Sequence, residues 1–307
     1  MSCIDDYIEV LRNSRRPDQT MQETETKMSL PTRVGVYGGG RMGAGIAHAF
    51  LCSGTAVTVI EADDSAADRA RDRIASSLTK AAERGVLADS VDDVLRRADV
   101  TTGAENLAEC GLVIEAVPEM VEVKAEVLAR IEKTAPLAVV ATNTSSLSID
   151  GLADSLTSPE KFIGLHFFNP VPASDLVEIV VGTKTSETLV ADAQQWVRDI
   201  GKTGITVTDS PGFASSRLGV AIALEAMRMV EEGVASAADI DTAMTLGYKH
   251  PTGPLRTTDI VGLDVRLAIA EHLAKEIGPR FEPPAILRDK VAAGHLGRKT
   301  GQGFYEW

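Results

Sequence analysis

Residues 33–46 read RVGVYGGGRMGAGI: a short apolar strand, a turn crowded with glycine, then an apolar helical run. The glycines stand as Gly38-x-Gly40-x-x-Gly43. That spacing alone is weak, but between a strand and a helix it restricts the fold to few choices. Gly38 permits the tight turn, Gly40 lets a pyrophosphate approach the backbone, and Gly43 lets helix and strand pack closely. The helix start then offers free N–H groups and partial positive charge to phosphates. Met42 belongs to the same turn, and Arg41 either touches the pyrophosphate or stays solvated.

The second strand, AVTVI (56–60), runs into Glu61. A carboxylate there accepts hydrogen bonds from ribose hydroxyls and repels a 2′-phosphate, so the expected cofactor is NAD rather than NADP. Further strands are expected at 112–117, 138–143, 162–168, 176–181 and 203–209. Helices are expected at 41–53, 64–84, 90–97 and 186–201. Short apolar strands alternating with amphipathic helices imply a mostly parallel sheet covered on both faces.

After DSPGF (209–213) the alternation stops. Helical patterns follow at 213–233, 236–247, 254–278 and 283–294, with Ser236 as a candidate cap. The expected division is a mobile extension over 1–30, an α/β Rossmann-type domain over 31–209, and an all-α domain over 210–307. The helix at 213–233 is apolar nearly all round. It is covered either by a second copy of the chain, giving a homodimer, or by its own domain as a central helix.

Composition narrows the function. The 307 residues carry a net charge of −13, which argues against a general nucleic-acid surface. No apolar run approaches a membrane-spanning length, and residues 1–18 show no export signal. Three cysteines without a CxxC pair make a disulfide framework or a metal site unexpected and fit a reducing cytosol.

The most informative polar residue in an apolar run is His166, in GLHFFNP (164–170). Glu178 follows twelve residues on, in LVEIVV (176–181). Neighbouring strands can bring the two together, and a carboxylate on one ring nitrogen leaves the other to act as a base. A satisfied core histidine is the alternative. ATNTSSLSI (141–149) ends a third strand in hydroxyl and amide side chains where open sheets bind ligands. There Ser145 either meets a substrate oxygen or shapes a turn. Ser77, Lys80 and Arg84 share a helix face, which suits phosphates or is simply solvated.

Taken together, VGVYGGGRMGAGIA, VIEAVPEMVEVK, ATNTSSLSI, IGLHFFNPVP, LVEIV, DSPGF and GRKTGQGFYEW carry a resemblance over about residues 32–307. The chain resembles the L-3-hydroxyacyl-CoA dehydrogenase family, including 3-hydroxybutyryl-CoA dehydrogenases. The resemblance implies NAD-dependent, reversible oxidation of an L-3-hydroxyacyl-CoA. It makes His166 the base, Glu178 its partner, and Ser145 the donor to the substrate oxygen. It places Glu119, Lys124, Asn169 and Lys299 at the cofactor, with Asn169 also beside the substrate. Ser77 and Arg84 fall where the family holds the coenzyme A portion. Two positions depart. Ser216 stands where the family usually has asparagine, and a lost direct hydrogen bond there would cost about 1–3 kcal/mol. Asp175 stands before LVE where methionine and lysine are usual. Other readings are a dehydrogenase of a free hydroxy acid or sugar acid on the same fold, or a non-catalytic NAD-binding protein.

Overall fold

A computed structural model describes residues 29–307. The expected extension, apart from residues 29 and 30, lies outside the described residues. The first strand, β1 (Arg33–Tyr37), turns through the glycines into α1 (Arg41–Cys52). Then come β2 (Ala56–Ile60), α2 (Asp64–Glu83), α3 (Val91–Leu95) and β3 (Ala98–Thr101). The second half runs β4 (Leu112–Glu115), α4 (Val121–Thr134), β5 (Val139–Thr142), α5 (Ile149–Ala153), β6 (Phe162–Phe167), β7 (Leu176–Val181), α6 (Glu187–Asp199) and β8 (Thr203–Thr208).

These strands form one sheet in the order β3-β2-β1-β4-β5-β6-β7-β8. Every neighbouring pair is parallel except β6 and β7. The chain winds outward in one direction from β1 and in the other from β4. The reversal falls between those two strands, and the crevice beyond their carboxyl ends is the ligand position of such sheets. One face packs Ile46 and Phe50 of α1, Ile74 and Leu78 of α2, and Trp196 of α6. The other packs Leu128 and Ile131 of α4 and Leu152 of α5. The near-continuous apolar strands follow from burial on both sides.

Coverage fails at β8, an edge strand exposed at most of its positions. Its chain leaves at once for the helical domain, so no crossover helix returns over it. The short β3 escapes the sequence pattern because only Val100 is buried and its neighbours are polar.

The helical domain comprises α7 (Ser215–Glu231), α8 (Ala237–Thr242), α9 (Pro254–Val261), α10 (Leu263–Ile277) and α11 (Ala285–Ala292). Ser236 caps α8, its hydroxyl accepting from the Asp239 N–H at 3.1 Å. The expected single helix over 254–278 is two helices, broken at Gly262, whose φ of 108° only glycine adopts without strain. A side chain there would also press on the Lys299 amine. Helix α7 buries Val220, Ala223, Leu224 and Met227 against this core and leaves Leu218 and Ile222 exposed.

Candidate active site

The glycine turn has the shape its residues require. Gly38 has φ 98°, and its N–H donates to the Ile60 carbonyl at 2.8 Å. A Cβ on Gly43 would strike the Gly38 carbonyl, whereas one on Gly40 would meet nothing within 4 Å. Gly40 therefore faces open space at the start of α1, where no side chain caps the free N–H groups. An uncapped helix start of this shape is suited to an anionic group. Glu61 stands beside it, one carboxylate oxygen accepting from the Gly39 N–H at 2.8 Å. Met42 borders a cavity of about 370 Å3, and exposed Arg41 borders a second of about 570 Å3.

The smaller cavity lies beyond the carboxyl ends of β4, β5 and β6 and holds Glu119, Lys124, Ser145, His166 and Asn169. His166 and Glu178 face each other across the antiparallel β6–β7 pair, in direct register. Opposed residues share a face of the sheet. The ring's Nδ1 lies 2.7 Å from Glu178 Oε2. Among the described residues Nε2 has no hydrogen-bond partner, while Phe168 and Phe213 flank the ring at centroid distances of 4.4 and 5.8 Å. Burial pushes the Glu178 carboxyl up, but bonds from His166 and from the backbone and side chain of Ser215 outweigh it and hold the group below the usual carboxylate range. An ionised Glu178 only accepts, so Nδ1 carries the proton and Nε2 carries the lone pair.

Ser145 is not idle. Glu119 Oε1 accepts from the Thr144 hydroxyl at 2.6 Å, the Ser145 N–H at 2.8 Å and the Ser145 hydroxyl at 3.2 Å. Ser146 adds its N–H and hydroxyl. Partial burial pushes Glu119 up, yet the Lys124 ammonium and these donors hold it below its ordinary value. Lys124 is itself only 1% exposed. Its ammonium donates to both oxygens of Glu115 at 2.7 and 3.0 Å and reaches Glu119 at 3.3 Å. The lysine thus pins the loop bearing Glu119 from beneath. Glu115 was passed over in the sequence; its signal is a carboxylate inside the apolar run LVIEAV, a residue type that stays buried only when paired. Asn143, also lining this cavity, accepts from the Phe167 N–H at 2.9 Å and fixes the strand that carries His166.

The larger cavity runs between α1, α2 and the turn after β6. Arg41, Arg73, Lys80 and Arg84 border it with Ser77, and Asn169 lines both cavities. The Ser77 hydroxyl lies 3.0 Å from Nδ1 of buried His48. Burial, reinforced by the Lys202 charge, pushes His48 down and favours its neutral ring. Among the described residues, no cluster of three or more His, Cys, Asp or Glu is placed to hold a metal ion.

Two comparisons of sequence give the lineage. The pattern of the 3-hydroxyacyl-CoA dehydrogenase NAD binding domain matches residues 33–210, and that of the C-terminal domain matches residues 212–307. The chain belongs to the 3-hydroxyacyl-CoA dehydrogenase family. Accordingly, its activity is NAD-dependent 3-hydroxyacyl-CoA dehydrogenation. It is 41% identical to the 3-hydroxybutyryl-CoA dehydrogenase of Mycobacterium tuberculosis over 280 residues, 90% of this chain and 98% of that one. It is 37% identical to the mitochondrial hydroxyacyl-coenzyme A dehydrogenase of Sus scrofa over 291 residues, 92% of this chain and 93% of that one. The crystal structure of (S)-3-hydroxybutyryl-CoA dehydrogenase PaaH1 from Ralstonia eutropha superposes with a TM-score of 0.87 at 38% identity, covering 90% of this chain and 99% of that one.

Two residues expected at this dehydrogenase's site are not among the lining residues of either cavity. Lys299 lines neither cavity; its amine pairs with both oxygens of Asp264 at 2.6 Å inside the helical domain. Ser216 is half-buried, its hydroxyl makes no hydrogen bond among the described residues, and it lies off both linings. Its neighbour Ser215, which carries no motif signal of its own, bonds Glu178.

Proposed function

We propose that this NAD-dependent 3-hydroxyacyl-CoA dehydrogenase moves the substrate proton with His166. The 2.7 Å contact from Nδ1 to Glu178, with the opposite ring nitrogen unengaged on a cavity wall, carries that reading. Gly38, Gly40 and Gly43 hold the cofactor phosphates, and Glu61 takes the ribose hydroxyls. Bound there, NAD supplies the hydride acceptor for C3 of the substrate. His166 Nε2 removes the C3 hydroxyl proton, and Glu178 steadies the imidazolium that forms. Ser145 donates to the same substrate oxygen, exchanging its 3.2 Å bond to Glu119, the longest of that carboxylate's serine and threonine contacts. Ser216, with its hydroxyl unengaged, stands as a further donor in place of an amide. The flanking aromatic rings exclude water and hold the imidazole in line.

The larger cavity takes the coenzyme A portion. Its arginines and lysine suit phosphates, Ser77 supplies a hydroxyl oriented by His48, and Asn169 links it to the smaller cavity. An enzyme for a free hydroxy acid has no use for such a basic annex. The chain divides near residue 210, and the helical domain pairs with a second copy. Exposed Leu218, Ile222, Ile260, Val261 and Val265 give that domain an apolar surface to cover. The unpaired cysteines fit a cytosolic setting.

The test is NADH oxidation with acetoacetyl-CoA and with acetoacetate. The thioester should be turned over and the free acid should not. His166→Gln should lose turnover while NAD affinity stays within about twofold of the parent. An active His166→Gln variant overturns the base assignment.

A further inference from the structure

Glu178 belongs to the sheet domain, yet three of its hydrogen bonds come from the helical domain. Oε1 accepts the N–H groups of Ala214 at 3.1 Å and Ser215 at 2.8 Å. Oε2 accepts the Ser215 hydroxyl at 2.8 Å and also faces His166 Nδ1 at 2.7 Å. One oxygen thus serves the histidine and the serine together. We infer that Ser215 is a positioning residue of the dyad, whose hydroxyl sets how strongly Glu178 supports a charged His166. This rests on the reading of His166 as the proton carrier.

Two physical effects follow from the shared oxygen. The two N–H groups and the hydroxyl fix the carboxylate plane, so Oε2 points at Nδ1 without searching for it. The O–H also draws charge from Oε2. A less charge-dense acceptor stabilises an imidazolium less and keeps the ring available as a base. Other ionisable groups leave this relation alone. Glu119 and Lys124 line the same cavity, but Lys124 pairs with Glu119 and with Glu115. Arg217, two residues along α7, donates to the Ser210 hydroxyl. On the β8 side, Glu178 is in register with uncharged Ile205. A serine that merely fastened the two domains together would affect stability and would leave the proton chemistry as it was.

Ser215→Ala and Ser215→Thr in the full chain separate the two roles. The readout is kcat/KM for 3-hydroxyacyl-CoA oxidation from roughly pH 5.5 to 9, spanning the range where histidine titrates. In Ser215→Ala the acidic limb should move to higher pH by roughly half a unit, because the bared carboxylate holds the imidazolium longer. KM and NAD affinity should hold, and Ser215→Thr should restore the parent profile. An NMR titration of the His166 ring below the melting temperature gives the same answer if the alanine variant is less stable. An unmoved limb in Ser215→Ala, at any level of activity, overturns the role. His166→Gln runs beside it: if that variant is inactive while the limb stays fixed, only the Ser215 inference fails; if it is active, the base assignment fails first.

Discussion

Replacing Glu178 by glutamine exchanges one carboxylate oxygen for an NH2 group and should reverse the polarity of the His166 ring. The side chain keeps its size, so the two N–H groups of residues 214 and 215 still require an acceptor where Oε1 stands. The amide oxygen goes there, and the NH2 takes the place of Oε2, facing His166 Nδ1. An NH2 cannot accept from Nδ1–H. The ring must therefore carry its proton on Nε2, where it meets the substrate hydroxyl as a donor instead of a base. The lost charge-assisted bond to the developing imidazolium accounts for about 1.5–3 kcal/mol. At about 1.4 kcal/mol per decade that is roughly ten- to a hundredfold in rate. The tautomer change adds to it, for a total of about 10²–10⁴ in kcat for oxidation. NADH formation at saturating 3-hydroxyacyl-CoA measures it, with NAD affinity by titration as the control. A Glu178→Gln enzyme within about threefold of parental kcat would refute the dyad.

The glycine turn separates folding from binding. Gly43→Ala drives a Cβ into the Gly38 carbonyl and should lower the melting temperature, whereas Gly40→Ala fills open space and should leave melting unchanged while weakening NAD severalfold or more. Calorimetry and NAD titration on the pair decide this, and equal effects on both variants would contradict it. Acid should destabilise the fold through Glu119 and Glu178. Both are held below their ordinary value of 4.5, so the stability they contribute is complete above that pH and lost as pH falls through their lower folded values. Urea midpoints should hold between about pH 7 and 5 and drop below about 4.5. The drop should be shallower in Glu119→Gln/Glu178→Gln, and an equally steep drop would assign the acid sensitivity to other groups.

Much of the candidate site was legible because it rests on local pattern. Alternating short apolar strands and helices dictated the sheet, and Gly38, Gly40 and Gly43 dictated its first turn, since backbone sterics at those positions admit little else. His166 and Glu178 were readable as partners because adjacent strands with a short connection place opposed side chains on one face. The edge strand Ala98–Thr101 was not readable, because one buried side chain in four makes no period.

Sequence alone therefore determined the sheet, the glycine turn and the candidate acid–base pair. Only the tertiary structure decided what each polar atom spends its hydrogen bonds on. It turned Lys124 onto Glu115, gathered Thr144, Ser145 and Ser146 on Glu119, drew Lys299 to Asp264, and set Ser215 on Glu178. Helical and strand periods report which face of an element is apolar. They carry no record of which distant segment crosses a carboxylate, and a buried carboxylate takes its donors from whichever segments arrive.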